Sequence, residues 1–200
     1  MKRFAFLIVA AACLHAGNLV VNPSFEDPIF FNGWTVTNAA DGSDLTVVTE
    51  VSPAPDGTSV ARFGGTTLGD YDQISQVLST VNGQQYTLSF FFGDVGGGPG
   101  GEAEAPIRRD DPSLPLLDFQ AIWDGSTIFD SQGGSTTFTQ FSFTVTGTGS
   151  DTLQFIGYNQ PSFSFLDEVS VDTAAATPEP ASFVLIGVGL ATLGMIRRRR

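Results

Sequence analysis

The residues able to do chemistry are few in kind. The 200-residue chain has one cysteine, Cys13, and one histidine, His15, both close to the N-terminus. The stretch before them, MKRFAFLIVAAACLHAG, has a basic start, an apolar run and small residues at its end, which is the pattern of a secretory signal cleaved after Ala16. Cys13 as a lipid acceptor is the alternative, though the apolar run before it is short. Cleavage after Ala16 removes both residues. The mature body then has no thiol and no imidazole, which excludes Ser-His-Asp and Cys-His catalysis and Cys/His zinc sites. The run GGGPGG lacks the Lys-Ser/Thr and the helix of a phosphate loop. What remains is carboxylates and aromatic rings. Between Gly17 and Pro178 there are 20 Asp and Glu against Arg62, Arg108 and Arg109, so the body carries 3 − 20 = −17 and no lysine. A carboxylate pair of the glycosidase kind is the one catalytic device such a set could form. One acid stands out: Asp167 falls among Phe165, Val169 and Val171 on an apolar strand face, where an unpaired carboxylate is costly. A hard divalent cation would satisfy it, as would backbone N–H groups.

Sugar contact needs an aromatic platform with polar groups beside it. Tyr71 and Tyr158 lie near loops and are the candidate ligand-binding rings, while Trp34 and Trp123 sit within strand patterns and read as core. Nucleic acid is excluded as a partner, because a body at −17 repels a phosphate backbone.

The elements that position these groups are short strands. Tyr86, Leu88, Phe90 and Phe92 alternate along GQQYTLSFFFG, the clearest strand. NLVVNPSFEDP, GWTVT, LTVVTEV, SVARF, DQISQVLSTV, LLDFQAIWDG, TTFTQFSFTVTG, DTLQFIGYN and FSFLDEVSVD read as further strands, with glycine turns between most of them. Val21, Pro23 and Phe25 are expected on one buried face of the first. Some ten or eleven short strands in about 155 residues predict an antiparallel sandwich. Gly93 to Leu116 is too long and too rich in Gly and Pro for a tight hairpin and is read as an inserted loop, either solvated or in contact with a ligand or calcium.

The last residues form a separate unit. Pro178-Glu179-Pro180 precedes 16 uncharged residues, Ala181 to Ile196, and then Arg197, Arg198, Arg199 and Arg200. As a helix this span rises about 24 Å, slightly short of a ~30 Å hydrocarbon core, with the arginines as a cytoplasmic stop. The pattern resembles the PEP-CTERM sorting signal. That resemblance implies a single-span anchor helix held transiently in the inner membrane of a Gram-negative bacterium. It also implies cleavage near the triplet by an exosortase and delivery to the cell surface or the exopolysaccharide matrix.

The body resembles the galactose-binding-like superfamily, which includes many carbohydrate-binding modules. The resemblance rests on Asn22-Pro23-Ser24-Phe25-Glu26 with Gly33-Trp34, Ile74-x-Gln76, Tyr86-Thr87-Leu88-Ser89-Phe90, Trp123-Asp124-Gly125 and Leu166-Asp167-Glu168-Val169, in that order. It implies an all-β, antiparallel jelly-roll β-sandwich. It also implies a structural calcium ion at Glu26 and Asp167, with Asp27 and Glu168 as neighbours or substitutes. The organisation expected is residues 1–16 signal peptide, 17–172 sandwich and 173–200 sorting signal. The function expected is a non-catalytic surface or matrix protein contacting a neutral glycan or exopolysaccharide. A purely structural matrix or adhesion protein is the rival, and a glycan-cleaving enzyme a third reading.

Overall fold

The computed structural model describes residues 17–40, 42–64, 70–94, 117–131, 137–159 and 163–174. The expected signal peptide, most of the expected inserted loop and the whole expected anchor lie outside them. Among the described residues there are ten strands: β1 (Thr35–Thr37), β2 (Thr46–Val48), β3 (Val60–Phe63), β4 (Asp72–Leu78), β5 (Gln85–Gly93), β6 (Leu117–Trp123), β7 (Ser126–Ser131), β8 (Thr139–Thr146), β9 (Asp151–Asn159) and β10 (Ser164–Thr173). They form two five-stranded sheets, β1-β4-β9-β6-β7 and β2-β3-β10-β5-β8. Every pairing is antiparallel. The expected all-β sandwich is present, with neighbours distant in sequence in both sheets.

Period-2 alternation builds the core. Tyr86, Leu88, Phe90 and Phe92 of β5 are all buried, as the sequence predicts. Across the gap they meet the first sheet: Phe92 stacks on Phe119 at 4.4 Å between ring centroids, and Phe90 meets Phe155 edge-on at 5.2 Å. Trp34 and Trp123 are buried too. Burial of each such ring stabilises by roughly 1.5–3 kcal/mol.

Three local readings are corrected. β7 (STIFDS) is a strand that the sequence pattern does not single out. The segment 17–25 is not a strand, since Asn22 and Phe25 adopt positive φ (51° and 57°) and Pro23 has no N–H to donate. Val21 is 53% exposed while Val20 and Phe25 are buried, so the predicted alternation fails. The segment is instead tied to β10: Leu19 N–H donates to Val171 O, Asn18 Oδ1 accepts the Val171 N–H, and Val169 N–H donates to Pro23 O. Finally, Asp167 does not share a face with Val169 and Val171. Asp167 pairs with Phe91, and Val171 pairs with the core residue Leu88. Between them the register slips, with Glu168 at φ 49°. A bulge of this kind flips the alternation. Asp167 therefore points to the outer side of its sheet, yet it is fully buried there.

Candidate functional site

The carboxylate expected to bind a cation lies under one turn. Asp167 Oδ2 accepts the Asp56 N–H at 3.0 Å and Oδ1 accepts the Glu168 N–H at 2.7 Å. Desolvation outweighs these two bonds and pushes the carboxyl up to about 7, with the charges of Asp56 and Glu168 adding to the rise. Glu26 sits on the other flank of the same turn and accepts the N–H groups of Thr58 and Ser59. Those bonds lower its pKa against desolvation, which would raise it. Asp56 ties the arrangement together, since its Oδ2 also accepts the Ser24 hydroxyl at 2.6 Å. The turn thus brings Glu26 and Asp167 to its two sides, and both accept main-chain N–H groups. Gly57, between them, has φ 62°, and a Cβ there would collide with the Glu26 carboxylate. Among the described residues no three His, Cys, Asp or Glu side chains converge as a group able to hold a metal. A cation here would use Asp167, Glu26 and backbone oxygens. Asp27 turns away to bond the Ile29 N–H and Asn32.

The two tyrosines come together on the outer face of the first sheet. Their rings meet edge-on, 6.4 Å between centroids. Tyr158 is only 8% exposed, and Tyr71 is half-buried. The Tyr71 hydroxyl donates to Asp118 Oδ2 at 2.7 Å. Asp118 is the direct cross-strand partner of Tyr158 and is itself buried. The tyrosines are therefore one end of a larger surface. Register places Thr37, Gln73, Ile156, Gln120 and Asp130 in one row across all five strands. Thr35, Ser75, Gln154, Ile122 and Thr127 form the next. Five strands span about 19 Å at their usual spacing. Bonds link the rows: Gln154 Nε2 donates to Gln73 Oε1 at 2.8 Å, Gln120 Nε2 to Asp118 Oδ1 at 3.2 Å, and Thr127 Oγ1 to Gln120 Oε1 at 3.3 Å. No Lys or Arg lies in these rows. Sequence reasoning misses Asp118 and the three glutamines. The signal of the glutamines is an amide next to core residues: Gln73 before Ile74, Gln120 between Phe119 and Ala121, and Gln154 between Leu153 and Phe155.

A close acid pair exists elsewhere, at the loop end of the sandwich. Asp151 is fully buried and accepts the Thr80 hydroxyl, the Thr148 N–H and the Thr148 hydroxyl. Burial would raise its pKa, but bonds from Asp124, Thr80 and Thr148 hold it down to about 2, and the shared bond pushes Asp124 up. Asp151 spends its oxygens on the loops that it ties together, so this pair is a brace between hairpins.

No curated protein matches the chain in sequence. Solved structures match in fold. The CBM22-1 xylan-binding domain from Paenibacillus barcinonensis Xyn10C superposes with a TM-score of 0.51 at 18% identity, covering 81% of this chain and 98% of that one. TmCBM61, in complex with β-1,4-galactotriose, gives 0.51 at 14% identity, covering 80% and 100%. The enzymatically active domain of tailspike protein 4 from bacteriophage CBA120 gives 0.50 at 14% identity over 77% of this chain, which spans only 21% of that one. Residues 176–200 match the PEP-CTERM protein-sorting motif, so the chain joins that motif to a body with the jelly-roll fold of carbohydrate-binding modules.

Proposed function

We propose that the protein is a non-catalytic glycan-contacting component of the cell surface or extracellular matrix, and that an exosortase sorts it through Pro178-Glu179-Pro180 and the arginines that end the chain. The sorting motif implies exosortase processing of a surface protein. The observation that carries glycan contact is the outer face of the first sheet. It is broad, half-exposed and lined by glutamine amides and Ser/Thr hydroxyls around Ile122 and Ile156, with Tyr71, Tyr158 and Asp118 at one end. Amides and hydroxyls exchange hydrogen bonds with sugar hydroxyls, and apolar side chains accept the C–H face of a ring. Acids without bases select a neutral glycan. The fold, shared with a xylan-binding domain and with a module that holds galactotriose, supports this reading.

Calcium is proposed as a support for the fold, held by Asp167 and Glu26 with backbone oxygens beside the Asp56 turn. Melting in calcium and in chelator tests it. Calcium at ~100 Kd raises stability by about 2.7 kcal/mol if it binds only the folded protein, and an unchanged melting temperature removes the site.

A neutral-polysaccharide panel tests the glycan reading, with xylan and β-1,4-galactan among the probes. Binding lost on Gln120→Ala and Gln154→Ala, with melting unchanged, supports it. One observation favours the rival, a structural protein with no sugar pocket: Tyr158 is nearly covered and the Tyr71 hydroxyl is already bonded to Asp118, so Tyr158 offers little ring surface and the Tyr71 hydroxyl is engaged within the fold. Failure to bind any panel member selects that rival.

A further inference from the structure

β10 carries the folded body almost up to the sorting motif. Its pairing with β5 runs on to Asp172↔Thr87 and Thr173↔Tyr86, and the Ala174 N–H still donates to Gln85 O. The motif occupies residues 176–200, with its triplet starting at Pro178. Only residues 175–177 separate Ala174 from Pro178, a reach of at most about 14 Å. The radius of gyration of a small domain is about 13 Å. An enzyme that holds Pro178 in a cleft therefore meets the end of the sandwich.

Three turns form that end: residues 79–84 between β4 and β5, 124–125 between β6 and β7, and 147–150 between β8 and β9. Main-chain bonds lock the first to the third, from Thr80 N–H to Gly149 O at 3.3 Å and from Gly83 N–H to Gly147 O at 2.8 Å. Buried Asp151 holds Thr80 and Thr148 beneath them. The second turn joins through the Asp124 N–H, which donates to Thr152 O at 3.0 Å, and the Trp123 indole N–H, which donates to Thr146 O at 3.3 Å. Asn82, Gln84 and Ser150 are exposed on this face, as is Val81. In a body at −17 the three turns carry one exposed acid, Asp124, and no base. Asn18, close to the expected signal cleavage site, lies at the same end, since its Oδ1 accepts the Val171 N–H. Tyr71, Asp118 and Tyr158 lie at the opposite end, where β4 and β6 begin and β9 finishes.

We propose that this end face is the surface against which the membrane-embedded sorting enzyme docks when it takes the Pro178-Glu179-Pro180 triplet. It rests on the sorting reading above and adds to it the part of the folded body that the enzyme touches. The occupant follows from reach: the three residues after Ala174 are too few to carry the triplet clear of the body. The sparse charge suits the same place, because an anionic membrane surface repels the acid-rich flanks of the body more than this face. A rigid face at fixed reach also positions the triplet, since small misplacements of a substrate cost rate steeply. With this end against the enzyme, the Tyr71, Tyr158 and Asp118 end of the sugar-contacting face points away from it.

The test follows processing of the full chain by pulse-chase in a Gram-negative bacterium that sorts PEP-CTERM proteins, with the mass of the product as readout. Asn82→Trp with Gln84→Trp puts bulk on the face, where the Gln84 amide bonds only to the neighbouring Gln85 carbonyl. Ser150→Trp is a second change on the face should that pair lower the melting temperature. Thr139→Trp puts the same bulk at the opposite end, on the first residue of β8. A spacer of about eight Gly/Ser residues between Ala174 and Ala175 adds up to about 28 Å and leaves residues 176–200 intact. The face variants are expected to lose the C-terminal segment about tenfold more slowly than wild type. Thr139→Trp is expected to keep the wild-type rate, and the spacer to restore the face variants. Face variants processed at the wild-type rate overturn the proposal, as does a slowing that Thr139→Trp shares or that the spacer leaves in place. A wild type that keeps Arg200 removes the sorting reading and this face with it.

Discussion

The Asp167 carboxylate accepts the main-chain N–H of Asp56, 111 residues earlier, at 3.0 Å, and no basic side chain among the described residues pairs with it. A carboxylate so enclosed is held by geometry against its own preference for water, and the consequence is measurable.

Folding raises the Asp167 pKa from 3.8 to about 7. Between those values the folded state holds a proton that the unfolded chain has released. Stability is therefore greatest below about pH 4 for this group and is lost as pH rises towards 7, at up to about 1.4 kcal/mol per pH unit. Melting in chelator from pH 4 to 8 should show this decline, and Asp167→Asn should flatten it. A wild-type curve that climbs over the same interval and matches that of Asp167→Asn contradicts the burial effect.

Gly57 is predicted to tolerate no side chain. Its φ of 62° disfavours one, and the new Cβ would displace Glu26 from the Thr58 and Ser59 amides. Gly57→Ala should cost roughly 1–2 kcal/mol from the backbone alone. Chemical denaturation measures it, and a variant as stable as wild type would show that the turn relaxes.

The core between the sheets and the outer face of the first sheet should respond differently to substitution. Phe90→Ala opens a cavity among Phe129, Phe141, Phe143 and Phe155 and should destabilise by about 3–5 kcal/mol. Gln154→Ala on the outer face should change stability by less than about 0.5 kcal/mol. Paired denaturation curves check this, and equal losses would mean that the glutamine rows serve the fold.

Sorting predicts a shortened protein. Mass spectrometry of the surface form should find no peptide beyond about Pro180. An intact Arg200 on surface protein rules out processing at the triplet.

The strands are legible in the sequence because one buried face imposes period 2, and the β5 pattern shows it most clearly. β7 escapes that reading because its irregular pairing at Ala121/Ile122, opposite Phe129 and Thr127, breaks the alternation within STIFDS. An N-terminal strand is expected but absent because alternation in VVNPSF is overridden by two left-handed residues and a proline. The side to which Asp167 points is not legible either: one extra residue at a bulge leaves composition unchanged and inverts the facing of the rest of the strand. The candidate face is half visible. Each glutamine can be placed on an outward side, but only pairing register brings Gln73 beside Gln154, or Tyr158 beside Asp118. Nearness to loops singles out Tyr71 and Tyr158 in the sequence, and the structure finds them against each other.

The tie between the chain's first described residues and β10 also governs timing. Asn18 bonds to Val171 across 153 positions, and β10 is the central strand of its sheet, seated between β3 and β5. The last of the described strands is therefore the one on which that sheet closes. Until it emerges, β3 and β5 have no shared neighbour and Asp167 has not arrived beneath its turn. That sheet is thus expected to form slowly and to be complete only once β10 is in place, because its decisive contacts are the most distant in sequence.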